Sequence, residues 1–334
     1  MSIAPWIEPR PQGIYLPAAD AWIDPSVPVE RALVTHGHAD HARGGHGTVW
    51  ATAETLAIMA VRYGDEHRGV PVALGETVEV GPLKARFVPA GHVLGSAQIV
   101  MEHAGATVVA SGDYKRRADP TCAPFVPVPC DVFITEATFG LPVFRHPPTA
   151  GEMQKVVDTL GLRPDRCVQI GAYGLGKAQR VIAELRALGW DSPIFLHGAT
   201  EKLCALYEAC GVRLGELRPV ADATKDEMKG QVVVSPPGAL NDRWSRRLPD
   251  PISAMASGWM TVRQRARQRN VELPLIVSDH ADWTELTDTI LELAPKEVWV
   301  THGREDALVH WCATRQIKAR ALALVGREDD EGEV

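Results

Sequence analysis

The segment Thr35-His36-Gly37-His38-Ala39-Asp40-His41 constrains this chain more than any other feature. Three histidines and one aspartate lie within six residues, directly after an apolar run that predicts a short strand. Burying these side chains together without a metal ion would be very costly. In an extended chain the first two histidines point the same way, and the aspartate and last histidine point at a second position. The segment therefore predicts two metal ions about 3.5–4 Å apart.

Two residues further along the chain extend this cluster. His92 lies in a glycine-flanked loop, Pro89 to Ser96, between two predicted strands, and Asp113 follows an apolar strand that ends at Ala110. A carboxylate at the end of that strand is placed to bridge both ions. Imidazole together with carboxylate favours zinc or manganese over calcium, so we expect two divalent ions, with zinc preferred and manganese as the alternative.

The 334 residues suit one large domain or two ordinary ones, and the element pattern changes once along the chain. Up to Thr135 the sequence predicts short strands with few helices, which indicates an antiparallel or mixed sheet. From Gly151 onward helices and strands alternate, which is typical of a parallel sheet in an α/β unit.

Charge is unevenly distributed along the chain. The net charge of -7 argues against a protein that coats nucleic acid without specificity, yet the stretch 243–269 holds seven arginines and one acid. These arginines form either a solvated face or a set of phosphate contacts. The last eight residues, 327–334, hold five acids and predict a solvated tail. No segment predicts a membrane span or a leader sequence, so we expect a cytoplasmic protein with no membrane partner.

The histidine motif, His92 and Asp113 resemble the metallo-β-lactamase superfamily. Later motifs resemble its β-CASP nuclease family: Thr135–Gly140, Ser278–Asp282 and Thr301–Gly303 match three motifs, and Gly171–Gln179 and Ser257–Met260 match the inserted domain. The runs 111–116, 131–136 and 278–283 resemble most closely the bacterial ligase-associated DNA exonucleases, a group described as mRNA 3′-end processing factor-like.

This resemblance implies an α/β fold, in which a metallo-β-lactamase αββα sandwich carries an inserted β-CASP α/β domain. The implied domains are a first metallo-β-lactamase part at 1–145, the β-CASP domain at 146–270, a C-terminal metallo-β-lactamase part at 271–326 and the acidic tail at 327–334.

The resemblance also implies a ligand set. One metal would be held by His36, His38 and His92, the other by Asp40, His41 and His302, with Asp113 bridging. A supporting aspartate behind the ligands is expected at Asp20, with Asp24 as the rival.

Catalytic roles fall to Asp40, to Glu136 and to His280, which is the candidate general acid oriented by Glu136. Lys177 follows glycines at a predicted helix start, where a phosphate could bind. The other residues expected to contact substrate are Arg263, Arg267, Ser257 and Gly258.

The predicted function is a metal-dependent hydrolase: a dinuclear phosphodiesterase acting on DNA ends, as a DNA exonuclease in repair. Functional association with a DNA ligase and a helicase is expected from the family. The alternative is an RNA-processing nuclease of the mRNA 3′-end processing type. RNA-cleaving relatives usually carry alanine where Asp279 stands, and DNA-cleaving relatives of the Artemis type usually lack a histidine equivalent to His302, so these two positions point in opposite directions. A small-ester hydrolase and an inactive scaffold subunit are the remaining classes.

Overall fold

The structure is a computed structural model that describes residues 3–64, 67–322 and 324. Its described residues fall into two compact units. The first unit runs to Phe144 and resumes at His280, and the second runs from Arg145 to Asp279. The predicted acidic tail, 327–334, lies outside the described residues.

The elements are numbered in chain order. The strands are β1 (Glu8–Arg10), β2 (Gly13–Leu16), β3 (Ala21–Ile23), β4 (Arg31–Leu33), β5 (Thr48–Ala51), β6 (Arg68–Pro71), β7 (Thr77–Val80), β8 (Leu83–Pro89), β9 (Ala97–His103), β10 (Ala106–Ala110), β11 (Val132–Ala137), β12 (Val168–Gly171), β13 (Ile194–Leu196), β14 (Leu217–Pro219), β15 (Val232–Ser235), β16 (Ile252–Ala256), β17 (Leu273–Leu275), β18 (Glu297–Gly303) and β19 (Lys318–Ala321). The α-helices are α1 (Ala53–Tyr63), α2 (Thr149–Leu162), α3 (Lys177–Ala187), α4 (Gly198–Ala209), α5 (Arg263–Gln268), α6 (Trp283–Leu293) and α7 (Glu305–Ala313).

The first unit contains two mixed sheets. The N-terminal sheet has the order β1-β2-β3-β4-β5-β6, and the central sheet has the order β19-β18-β11-β10-β9-β8-β7. Strand β18 follows the second unit in the chain but pairs in parallel with β11, so segments from both sides of the second unit build the central sheet. The first unit is therefore one domain made from two pieces of chain.

Alternating side chains fix the layers of the first unit. On β8, Leu83, Ala85 and Phe87 face a core shared with the N-terminal sheet, while Val88 faces the opposite core. That opposite core is closed by helices α6 and α7, and Met59 of α1 packs on the outer face of the N-terminal sheet. The order helix, sheet, sheet, helix confirms the predicted αββα sandwich.

The second unit contains a six-stranded sheet with the order β14-β13-β15-β12-β16-β17, and every pairing in it is parallel. Helices precede or follow most of its strands, as the alternating pattern predicts. Because β17 pairs with β16, this unit extends to Asp279, beyond the predicted boundary at 270. No helix within the described ranges is both long and apolar enough to span a membrane.

Candidate metal centre

The loop after β4 brings three histidines into one buried place. His36 and His41 are fully buried, and His38 is partly buried. A Cβ on Gly37 would lie 2.6 Å from Ile58 of α1, so only glycine lets the loop pack this closely on the helix. The guanidinium of Arg62, also on α1, donates to the Gly37 carbonyl over 3.0 Å. The helix therefore fixes the loop that carries these histidines.

The other ligands come from the ends of central-sheet strands. His92 lies between β8 and β9, Asp113 follows β10, and His302 lies near the end of β18. Gly91 has φ +75°, and a Cβ there would lie 2.6 Å from the Lys115 carbonyl oxygen. The loops that carry His92 and Asp113 can therefore approach each other only because residue 91 is glycine.

Asp113 lies at the centre of the cluster. Its Oδ2 is 3.4 Å from His36 Nε2, 3.5 Å from His41 Nε2 and 3.7 Å from His92 Nε2. Its Oδ1 is 3.2 Å from His302 Nε2. Three groups of side chains share this carboxylate. Two of them hold the predicted ligands, with His36, His38 and His92 in the first and His41 and His302 in the second, and the third holds Glu136 and His280. Asp40 joins the second group through its Oδ2, which is 3.3 Å from His41 Nε2.

These residues fit two metal ions by two measures. The Nε2 atoms of His36 and His41 and the Oδ1 atom of Asp113 are buried and make no hydrogen bond within the described part of the chain. Buried polar atoms are otherwise nearly always hydrogen-bonded, so these atoms need a ligand. Atoms bound at 2.0–2.1 Å around a tetrahedral ion lie roughly 3.3 Å apart, close to the separations around Asp113.

Burial and neighbouring charges shift the pKa values of the clustered histidines and of Asp113. Burial lowers the pKa values of His36 and His92 well below their ordinary range, with neighbouring histidines adding to the effect. Burial alone would lower the pKa of His41. The pKa is nevertheless raised well above its ordinary value, because the carboxylates of Asp40, Asp113 and Asp24 surround the ring. Burial likewise opposes a lowered pKa for Asp113, but His41 and His302 hold it well below its ordinary value. The carboxylate is therefore ionised and ready to bind a cation.

A carboxylate and a histidine lie beside this ligand cluster. Glu136, on β11, is fully buried, and its Oε2 is 2.9 Å from His280 Nδ1. The backbone N–H of Tyr114 donates to Glu136 Oε1 over 2.8 Å, which fixes the carboxylate. His280 Nδ1 is also 3.9 Å from Asp113 Oδ2. The pair is thus oriented beside the carboxylate that the candidate ligand groups share.

Several characterised proteins are similar to this chain. A protein of Opitutus terrae named "Probable DNA ligase" is 29% identical over 322 residues, covering 95% of this chain and 31% of that protein. A cleavage and polyadenylation specificity factor subunit 3 of Dictyostelium discoideum is 26% identical over 264 residues, 67% of this chain and 33% of that protein. A ribonuclease of Thermus thermophilus is 28% identical over 193 residues, 49% of this chain and 44% of that protein. These relatives agree with the resemblance of the sequence motifs to the β-CASP nucleases of the metallo-β-lactamase superfamily.

One solved structure shares the overall fold of this chain. A protein of unknown function from Enterococcus faecalis superposes with a TM-score of 0.59 at 13% identity, covering 90% of this chain and 80% of that one. The chain matches no established family model. It spans less than half the length of the three curated relatives.

The aspartate that supports the cluster is Asp24, which corrects the prediction of Asp20. Asp24 is buried, and its Oδ2 is 2.8 Å from His41 Nδ1. It also accepts from the backbone and hydroxyl of Thr35, at 2.8 and 2.6 Å. Asp20 is exposed and accepts from the Tyr15 hydroxyl over 2.9 Å. Asp24 therefore orients His41, whereas the hydrogen bond of Asp20 goes to Tyr15, which is not one of the candidate ligands.

The residues predicted to contact substrate lie in the second unit, in different environments. Lys177 is buried, with its Nζ 3.4 Å from Asp279 Oδ2, so a carboxylate of the protein faces it where the prediction places a substrate phosphate. Ser257 and Gly258 are also buried, and the Ser257 hydroxyl oxygen accepts from the Trp259 backbone. Arg263 and Arg267 are exposed on α5, where phosphate can reach them.

One residue that supports the cluster is not among those predicted from the sequence. Lys115 is buried, and its ammonium donates to the His92 carbonyl over 2.5 Å while pairing with Asp119 Oδ2 at 2.8 Å. The lysine thus ties down the loop that carries His92. The i, i+4 spacing of Lys115 and Asp119 is the one signal that the sequence offers for this contact.

Proposed function

We propose that this chain is a metal-dependent nuclease that hydrolyses phosphodiester bonds in nucleic acid, and specifically a DNA exonuclease of repair that acts on DNA ends. The observation that carries this proposal is the Glu136–His280 pair, whose atoms are 2.9 Å apart, placed beside the shared carboxylate of the ligand cluster. A hydrolase of small esters with good leaving groups has less need of a positioned acid. A phosphodiester releases a basic alkoxide, which must be protonated as it leaves.

The ligand assignment follows the two groups around Asp113. His36, His38 and His92 would hold one ion, and Asp40, His41 and His302 the other, with Asp113 bridging. We propose zinc as the native metal and manganese as the alternative, since imidazole and carboxylate suit both. When bound, two such ions supply a water nucleophile at neutral pH and neutralise charge on the phosphate.

His280 would act as the general acid. Its Nδ1 faces Glu136 Oε2, so the carboxylate holds a proton on that nitrogen and favours the imidazolium form. The ring can then donate a proton from Nε2 to the leaving oxygen. Glu136 is fully buried and also bound by the Tyr114 N–H, so it keeps the ring in one orientation without contacting substrate itself.

The choice of DNA over RNA rests on family resemblance. The match to the Opitutus protein named "Probable DNA ligase" covers 95% of this chain, whereas the matches to the Dictyostelium factor and the Thermus ribonuclease cover 67% and 49%. This supports action on DNA, with functional association with a DNA ligase and a helicase, in the cytoplasm. The alternative is RNA processing of the mRNA 3′-end type, which the names of the second and third relatives favour.

The test uses end-labelled single strands of matched DNA and RNA sequence, each in linear and circular form, with zinc or manganese added. We expect linear DNA to be degraded from an end and circular DNA to be cut little. Equal rates on the linear and circular forms would contradict exonuclease action. Faster cleavage of RNA than of DNA would favour the RNA-processing alternative, and no cleavage of any strand with two metals bound would contradict the proposal.

A further inference from the structure

One edge of the second unit gathers loops that the proposed metal chemistry does not use. Because all strands of its sheet are parallel, their carboxyl ends meet at the same edge, where ligands bind in open α/β sheets. The segment Pro236–Arg247 follows β15 and lies across that edge. At the end of β13 the His197 ring is 4.5 Å from the Trp244 ring, and at the end of β12 a Cβ on Gly171 would lie 2.7 Å from Leu240.

The same segment adjoins residues 263–269, which hold the later arginines of the arginine-rich stretch 243–269. Leu240 shares a small core with Met255, Met260 and Ala266, the last of which lies on α5. The Asn241 side chain donates to the Arg269 carbonyl over 3.4 Å. Residues 240 and 241, which directly precede the arginines of 243–247, therefore lie beside α5 and the residue that follows it.

Five exposed arginines mark these two stretches: Arg243, Arg246, Arg247, Arg263 and Arg267. Among the described residues, no carboxylate forms a salt bridge with any of the five. Asp242, the acid directly before the first stretch, accepts from the Arg243 backbone over 2.5 Å. Arg166 of the same unit shows the contrast, because Asp250 and Glu272 lie 2.9 and 3.6 Å from its guanidinium. The five positive charges are available to a ligand of opposite charge.

An aromatic pair lies among these arginines. Trp244 packs partly on a core that includes Phe195 and Val233, and both its ring and the His197 ring remain partly exposed. Burial, with Arg247 nearby, lowers the pKa of His197, so its ring is neutral at neutral pH. The two rings are tilted by 55° to each other, so each leaves a face on which a base can stack. Partly exposed aromatic rings beside several arginines are the arrangement that binds unstacked bases and their phosphates.

We propose that this carboxyl edge binds single-stranded nucleic acid, with the five arginines contacting phosphates and the His197–Trp244 pair stacking on a base. We call it the arginine edge, defined by Arg243, Trp244, Arg246, Arg247, Arg263 and Arg267. A single strand fits better than a duplex, since the bases of a duplex are stacked on each other and present no face to Trp244. The inference rests on the proposed function for the identity of its ligand.

The first measurement tests the phosphate contacts. Binding of short single-stranded DNA and RNA is followed by fluorescence anisotropy at several salt concentrations, using zinc-loaded full chain with His280→Ala to prevent cleavage. The triple variant Arg243→Gln, Arg246→Gln, Arg247→Gln should bind more weakly. Its slope of log Kobs against log salt should be shallower by about 2, because each lost contact to a single strand removes roughly 0.7.

The matched control is the pair Arg163→Gln and Arg213→Gln in the same background. Both arginines are exposed, and they precede β12 and β14, which places them toward the amino ends of the strands. We expect this control to bind with the affinity and salt slope of the parent. A triple variant with an unchanged slope, or a control that weakens binding equally, would overturn the arginine edge as a binding site.

The second measurement tests stacking, and the salt slope of the variant checks that its phosphate contacts are kept. The parent should bind an oligonucleotide more tightly than an abasic strand of equal length, by roughly 5- to 150-fold for one stacked base. Trp244→Leu should lose most of this preference while keeping the salt slope. An unchanged preference for bases in Trp244→Leu would overturn the stacking contact, and equal binding of duplex and single strand would do the same.

Hydrolysis by the wild-type chain separates this inference from the proposed function. Loss of binding in the triple variant, together with a wild-type chain that cleaves no nucleic acid, would keep the arginine edge and contradict the nuclease. A wild-type chain that degrades single strands, together with a triple variant whose salt slope is unchanged, would keep the nuclease and overturn the arginine edge. The DNA and RNA arms show which of the two polymers supplies the phosphates.

Discussion

Each unit of the molecule buries a cluster of charged side chains, and the two clusters are built differently. In the second unit Arg180 and Lys177 share Asp279, at 3.1 and 3.4 Å, and Arg180 also donates to the Ser278 carbonyl and the Thr149 hydroxyl. Its positive groups therefore face oxygen atoms of the protein itself. In the first unit, the Nε2 atoms of His36 and His41 lie around Asp113, and they and Asp113 Oδ1 make no hydrogen bond within the described residues.

This difference in hydrogen bonding distinguishes a buried cluster that stabilises the fold from one that can bind a ligand. A cluster that satisfies itself holds its elements together, and it gains nothing from a ligand. A cluster that leaves several buried nitrogen and oxygen atoms without partners is costly until a cation occupies it. Burial alone does not distinguish the two, since Arg180 and His36 are both almost completely buried.

The largest expected effect concerns the carboxylate that both ligand groups share. Asp113→Ala should lose metal and activity together, because it removes the one ligand common to both ions and leaves the histidines around it without a counter-charge. Elemental analysis of the loaded wild-type chain should approach two metals per chain, and the variant should fall well below this. Asp226→Asn, which changes an exposed carboxylate of the second unit, is the control. A variant at Asp113 that keeps two metals would contradict the bridging role.

The second prediction separates chemistry from metal binding. His280→Ala should keep its metals and lose turnover by roughly 10²- to 10⁴-fold, the range typical of general acid catalysis. The matched control is His310→Ala, which removes an exposed histidine on α7. Full activity in His280→Ala would exclude it as the acid. Loss of metal in that variant would instead make it a ligand, since its Nδ1 is only 3.9 Å from Asp113.

The third prediction tests the cluster of Arg180, Lys177 and Asp279 in the second unit. Arg180→Met should destabilise the second unit by about 3–5 kcal/mol, because it leaves Asp279 buried with one cation fewer. The metal content should stay at the wild-type value. Denaturant unfolding followed by elemental analysis measures both, with the exposed Arg163→Met as control. Loss of metal without loss of stability in Arg180→Met would break the distinction between the two clusters.

Much of this fold can be predicted from sequence where periodicity and capping agree. Helix α6, from Trp283 to Leu293, is amphipathic and begins after a capping box that Asp282 and Glu285 form. The strands β1, β14 and β19 cannot be predicted in this way. Each is three or four residues long and lies at the edge of its sheet, where one neighbour suffices and apolar alternation is weak.

The metal ligands are predictable for a different reason. Four of them lie within six residues, and the others follow strands whose ends meet in the sheet. The supporting residues are not predictable, because their roles depend on hydrogen bonds across the fold. Asp20 and Asp24 both have positive φ, at 46° and 45°, and both follow short apolar runs. Only the contacts with Thr35 and His41 distinguish them.

The smallest expected effect tests this pair of aspartates. Asp24→Asn should weaken metal binding by roughly 10- to 100-fold, since the carboxylate orients His41 through Nδ1 and makes its Nε2 a better ligand. Asp24 also contributes to the raised pKa of His41, so a proton competes with metal at that ring as the pH falls through the raised pKa. Affinity of the wild-type chain for zinc should therefore drop on acidification, and it should drop less steeply in Asp24→Asn. Asp20→Asn is the matched control, because it alters an exposed side chain that bonds only to Tyr15 in the hydrogen bonds observed. Titration with a competing chelator at several pH values measures both quantities. Equal affinities for the two variants would show that His41 keeps its orientation without Asp24, and would leave the Thr35 contacts as the reason for that aspartate.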